Sequence, residues 1–196
     1  MTNCSTACRT SKSSSAVKTG TRALGVAESY RGDRSTLAGT VVRASRVVDG
    51  FSFSSCTVGG TDSTDAVVDV YRSLDREDVR YVLVSGIAPA WFNVVDLHAV
   101  HEAVDRPVLS VSFEASPGLE DAIAEAFEGD ERDRRLAVYD AQPDRQAVDV
   151  NGERVFVRAV GCEDPANVVE SFTPEGGRPE PLRVARLAAR AADDYA

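Results

Sequence analysis

The stretch LGVAESY at residues 24–30 is apolar until near its end, where one carboxylate, Glu28, is set into it. Such a group either holds a cation through oxygen or faces water at a strand tip. A second acidic group, Asp62 with Thr64 and Asp65, opens a stretch of helical spacing. There an acid caps the helix and meets its dipole, worth about 1 kcal/mol, or presents itself to a metal, or a phosphate settles on the free amides. The loop SGIAPAWFN (85–93) follows an apolar run, the place where ligands gather in α/β sheets. Trp91 and Phe92 either stack on a base, at about 1–3 kcal/mol each, or pack beneath the next helix. Asn93 either caps that helix or fixes a base edge or phosphate.

Other reactive side chains point less sharply. His98 and His101 share a helix face but have no third His or Cys beside them, which favours solvated or core roles over zinc. Cys56 has no evident His or Asn partner for a thiol nucleophile. Cys4 and Cys8 form a C-x3-C pair with no second pair behind it. Arg178, Arg183, Arg186 and Arg190 recur along the last segment, the last three as a helix stripe that grips phosphates or pairs with acids. Gly59-Gly60 and Gly176-Gly177 lack nucleotide-loop spacing and read as turns.

The elements that must position these groups follow from periodicity. LGVAESY (24–30), TLAGTVVRA (36–44) and GFSFSSCTV (50–58) are β-rich segments split by short turns, as in a run of antiparallel strands. Residues 62–76 switch to helical spacing, with Val67, Val70, Tyr71 and Leu74 on one face. Then VRYVLVS (79–85) predicts a buried parallel strand, 92–104 a helix, and RPVLSVSF (106–113) a further strand. Helices are expected over 118–128, 131–139, 164–172 and 181–194, with a hairpin turning at Asn151-Gly152 between them. The order places the chain in the α/β class, with a mixed central sheet of three antiparallel strands followed by parallel ones, flanked by helices.

Length and apolar content allow one full-sized domain over 21–196, preceded by a Ser/Thr-rich segment, 1–20, that reads as a disordered tail or a start-site artefact. No run approaches the ~18–20 apolar residues of a membrane span. The few, scattered cysteines fit a reduced, cytoplasmic setting. Net charge is −9, and of 22 basic residues only Lys12 and Lys18 are lysines. Arg with abundant acid resembles the habit of organisms that keep molar salt in the cytoplasm. At ~1 M salt the screening length is about 3 Å, so the acidic total does not argue against a nucleic-acid partner.

Local motifs carry a resemblance. GVAESY is similar to the first catalytic strand of endonuclease V, which reads G-V-D-x-S-Y, and YVLVSGI (81–87) to its V-D-G-x-G-I segment. Closer still, VGGTDSTDAV (58–67), SGIAPAWFNVVDL (85–97), RPVLSV (106–111) and RPEPLRVARLAAR (178–190) resemble, in order, an archaeal family called endonuclease dU.

That resemblance implies a ribonuclease H-like fold and hydrolysis of a DNA (or RNA) phosphodiester near a deaminated base, using Mg²⁺ or Mn²⁺ held by converging carboxylates. Carried onto this chain, it makes Glu28 and Asp62 the catalytic metal ligands, joined by Asp65 or Asp96. Ser85, Trp91, Phe92, Asn93, Asp96, Arg183 and Arg186 become nucleic-acid contacts. Three positions depart from the pattern: Ala27, Ser85 and Gly59 stand where acids are expected. Strand side chains alternate, so Glu28 replaces an acid at 27 only through a bulge or register shift. Otherwise it lies on the solvent face, and the chain is a non-catalytic nucleic-acid-binding relative.

Overall fold

The computed structural model describes residues 16–195. Its centre is a seven-stranded sheet ordered β3-β2-β1-β4-β5-β7-β6. Strands β1 (Arg22–Arg31), β2 (Arg34–Arg43) and β3 (Val48–Thr57) form the expected antiparallel meander. β4 (Val79–Ser85) and β5 (Val108–Ser112) extend it in parallel. β6 (Gln146–Val150) and β7 (Glu153–Val160) close the far edge as an antiparallel hairpin. At its turn Asn151 and Gly152 both take positive φ, 51° and 83°, as a two-residue hairpin loop requires.

Alternation along β1 assigns its two faces. Leu24 and Val26 join Leu37, Val41, Val67 and Val70 in a core beneath α1 (Ser63–Leu74) and α3 (Leu97–Val104). Ala23 packs the other way, with Leu83, Leu109, Val157 and Leu182, beneath α6 (Pro165–Ser171) and α7 (Glu180–Tyr195). Helices α4 (Glu120–Ala126) and α5 (Gly129–Asp140) build a smaller cluster around Ile123, Phe127 and Tyr139. Gly25 is needed for the approach of α7, because a Cβ there would overlap the Pro181 backbone carbonyl. Farther along, the Ser29 hydroxyl donates to Asp193 at 3.0 Å. With Pro181 at Gly25 and Asp193 at Ser29, α7 runs in the same direction as β1.

Of the segment 1–20 only residues 16–20 are described, and there the Ser45 amide donates to the Thr19 carbonyl and Val17 packs on the core, while the Ala44 amide donates to Thr21. Lys12, Cys4 and Cys8 lie outside the described residues. One expectation needs correction. The single helix over 92–104 is broken, because α2 (Pro89–Phe92) is one left-handed turn, after which the chain runs extended to α3. Among the described residues no helix is long and apolar enough to cross a membrane.

Candidate nucleic-acid interface

The sheet's carboxyl edge, where β1 and β4 end, brings together most of the groups singled out by motif. Register alone decides where Glu28 points. It pairs directly with Leu37, which belongs to the α1-side core, so Glu28 lies on the α1 face of the sheet, half-buried. Its Oε2 accepts from the Ser35 hydroxyl at 2.9 Å. Beside it lies a cavity of about 10 Å³, lined by Val26, Leu37, Val67, Val84 and Pro89, scarcely room for a single water. Ala27 is buried on the opposite face, under the stretch of α7 that carries the fully buried Ala185 and Ala189.

Asp62 is engaged differently from a helix cap, and its side chain makes no cap hydrogen bond to α1. Its Oδ1 accepts from Asn93 Nδ2 at 2.7 Å and from the Thr57 amide at 3.1 Å. Its Oδ2 takes the Thr57 hydroxyl at 2.9 Å. Desolvation pushes Asp62 up, but the hydrogen bonds from Asn93 and Thr57 outweigh it and hold its carboxyl below the usual range. Glu28 and Asp62 do share a corner: both add to the burial that raises the Cys56 thiol to about 11, far from a nucleophilic thiolate.

These placements overturn the expectation of metal-dependent strand cutting. Among the described residues no three His, Cys, Asp or Glu side chains converge as a metal site. A hard divalent cation takes about six oxygen ligands, and the donor set here does not fit one. One candidate acid is saturated by protein donors, the other abuts a cavity too small for a hydrated ion, and Ala27, Ser85 and Gly59 supply no carboxylate. Asp65 is exposed, and Asp96 caps α3, accepting from the His98 and Ala99 amides. His98 is also exposed, while His101 bonds the Arg106 carbonyl through Nδ1 at 2.7 Å.

The aromatic loop is the most unusual backbone in the molecule. Ala90, Trp91 and Phe92 hold φ of 48°, 56° and 59°, a left-handed run that costs about 1–2 kcal/mol per residue. It persists because its surroundings clamp it. The Gly59 amide donates to the Ala90 carbonyl at 2.7 Å, and the Asn93 amide to Pro89 at 3.2 Å. Asn93 is 0% exposed. Its Oδ1 accepts the Ser63 amide at the start of α1, and its Nδ2 donates to Asp62 and the Thr57 carbonyl. Both N–H groups are thereby used, so Asn93 holds the loop rather than facing the surface.

Trp91, by contrast, is 51% exposed. Its indole lies over Gly59, where a Cβ would meet the ring at 2.7 Å. It also packs 5.1 Å from Phe127, and Phe92 completes the cluster. Beneath it the Arg135 guanidinium, 5% exposed, sits 3.7 Å from the Phe127 ring and bonds the Gly59 carbonyl.

On the α7 face the arginine stripe divides. Arg183 makes a two-point pair with Glu180, at 2.7 and 2.6 Å. Arg186 and Arg190 have no such partner among the described residues and lie near Arg178, which stacks 3.8 Å from Phe113 just past β5. Burial, together with these two neighbours, lowers the Arg178 pKa, and its Nη1 is buried without a hydrogen bond. Of the two arginines expected as contacts, Arg183 is thus paired and Arg186, among the described residues, is not, and at the far end of α7 Asp193 meets Ser29 and Arg31.

Comparison with known proteins agrees with this architecture. A UPF0215 protein of Methanopyrus kandleri is 35% identical over 181 residues, covering 88% of this chain and 91% of the relative. One from Pyrobaculum aerophilum is 32% identical over 177 residues, covering 88% and 94%. A crystal structure of a protein of unknown function from Archaeoglobus fulgidus superposes with TM-score 0.76 at 24% identity, covering 87% and 97% of the two chains. Ciona intestinalis endonuclease V, in complex with an inosine-containing DNA, matches at TM-score 0.59 and 12% identity, covering 89% and 87%. The fold is ribonuclease H-like, as in endonuclease V. Residues 19–193 match the family described as Endonuclease dU, and the chain belongs to that family.

Proposed function

We propose that this protein binds nucleic acid along the carboxyl edge of its sheet without cutting it, a non-catalytic relative of its family. The observation that carries the reading is the group Arg178, Arg186 and Arg190. In a chain of net charge −9, three neighbouring guanidiniums without a carboxylate partner among the described residues are an arrangement that a phosphate backbone neutralises. Trp91 adds a sequence-tolerant stacking surface held rigid by its clamped turn. DNA is the expected partner, supported by the family's name and by the endonuclease V complex, and single strands suit an exposed indole best.

The test is a binding titration of labelled single-stranded DNA, with and without uracil or inosine, across a salt series, followed by gel analysis in Mn²⁺. Salt-sensitive binding with intact strands is the expected result. Absence of binding at low salt, or metal-dependent nicking, would overturn the reading.

A further inference from the structure

A separate cavity of about 260 Å³ lies past the end of β5, on the α1 side of the sheet. Its floor is set by cross-strand pairing: Ser110 stands opposite Arg158 and Ser112 opposite Phe156, so the four share one face. The Gly86–Ala88 turn, Leu119, Tyr139 and Arg145 form the walls.

The two arginines are fixed by neutral groups. Arg145 lies 4.0 Å from the Phe156 ring and donates to the Ser116 carbonyl at 2.9 Å, the Ser112 hydroxyl at 3.1 Å and the Glu114 carbonyl. Arg158 donates to the Pro143 carbonyl at 2.6 Å and the Tyr139 hydroxyl at 2.9 Å. A guanidinium has five N–H groups, so Arg145 uses three and Arg158 two, leaving the rest unspent. Neither has a carboxylate within 4.0 Å among the described residues. The exposed Glu114 stands at the rim, and Glu120 borders an adjoining opening that shares both arginines.

Ser110 adds an independent pointer. It is 3% exposed, lines the cavity, and its hydroxyl has no hydrogen-bond partner among the described residues. The hydroxyl opens onto the cavity, where it is free to donate to a bound group. Two like charges, partly removed from water beside that hydroxyl and held by neutral groups alone, are further stabilised by an anion. Burial lowers the Arg145 pKa, opposed by Tyr139 and reinforced by Arg158.

We infer that this cavity binds a phosphate monoester, with Arg145 and Arg158 on the phosphate oxygens, Ser110 donating to one of them, and Ile87, Ala88 and Leu119 against the organic group. A monoester fits better than a diester because it carries close to two negative charges near neutral pH, matching two guanidiniums. Planar guanidinium forks also suit phosphate oxygens. The ligand is either a free mononucleotide or the phosphorylated end of a strand. The site stands whether or not a strand runs along α7.

Calorimetric titration of the full chain at constant ionic strength tests this, using inorganic phosphate, adenosine 5′-monophosphate, adenosine, and one oligonucleotide with a 5′-phosphate or a 5′-hydroxyl. The monophosphate should bind and adenosine should not. A tenfold preference for the phosphorylated oligonucleotide assigns the site to strand ends, and equal affinities assign it to the mononucleotide. Arg158→Gln and Ser110→Ala should each weaken the monophosphate tenfold or more with unchanged circular dichroism. If Arg158→Gln does not fold, Arg145→Lys replaces it. Arg72→Gln, on the exposed face of α1 and outside both arginine groups, should leave monophosphate affinity intact. No binding of the monophosphate, or binding unchanged in the folded variants, would overturn the inference.

Discussion

Asn93 and Asp62 are joined side chain to side chain at 2.7 Å, and the same Asn93 amide accepts the first free amide of α1 at 3.0 Å. One buried residue therefore ties the aromatic loop, the end of β3 and the helix start. Asn93→Ala should leave the Ser63 amide without a partner, while the Thr57 carbonyl keeps the Gly60 amide, at about 1–3 kcal/mol for the one orphaned buried group. The urea midpoint should fall by an amount equal to about 1–3 kcal/mol with the slope unchanged.

Trp91 is the sole tryptophan, so its fluorescence reports on the loop directly. Single-stranded DNA should quench it. Trp91→Ala should weaken strand binding by about 1–3 kcal/mol, tenfold or more near the middle of that range, with little change in far-ultraviolet circular dichroism. Equal affinity in the variant would remove the indole from the interface.

Arg186 and Arg190 should each contribute one phosphate contact. Replacing either by Gln should flatten the dependence of log affinity on log salt by about 0.7 for a single strand. Arg183→Gln should change that slope least, because Glu180 already neutralises Arg183.

Asp49 predicts a distinct acid response at the opposite end of the sheet. Hydrogen bonding by Arg43, opposed by desolvation and reinforced by Arg22, holds its carboxyl down to about 2. A folded-state value below the unfolded one, near 4, contributes stability that is complete above about pH 4 and disappears as pH falls through 2. The wild type should therefore exceed Asp49→Asn in urea midpoint at pH 7, and the gap should shrink between pH 4 and 2.

Most elements were legible because their periods are local: β1 to β3 alternate, α1 switches to helical spacing, and Asn151-Gly152 marks the hairpin. The left-handed turn at 89–92 was not. The sequence reads as a loop over 85–93 running into a helix from 92, and the left-handed conformation is imposed by Gly59 and Asn93 from outside the segment. The face of Glu28 was equally hidden, since it depends on pairing with Leu37 in the next strand. Within the stripe, the Glu180–Arg183 pair was readable from i, i+3 spacing. Arg145 and Arg158 had no such signal, being joined only by the β5–β7 pairing and the loop before β6.

Gly59, the position where the family pattern calls for an acid, is covered by the indole of Trp91, and a Cβ there would intrude on the ring. Its φ of +70° also disfavours any side chain. A carboxylate and the indole thus compete for one volume, and a Gly59→Asp exchange would evict the aromatic surface instead of adding to it.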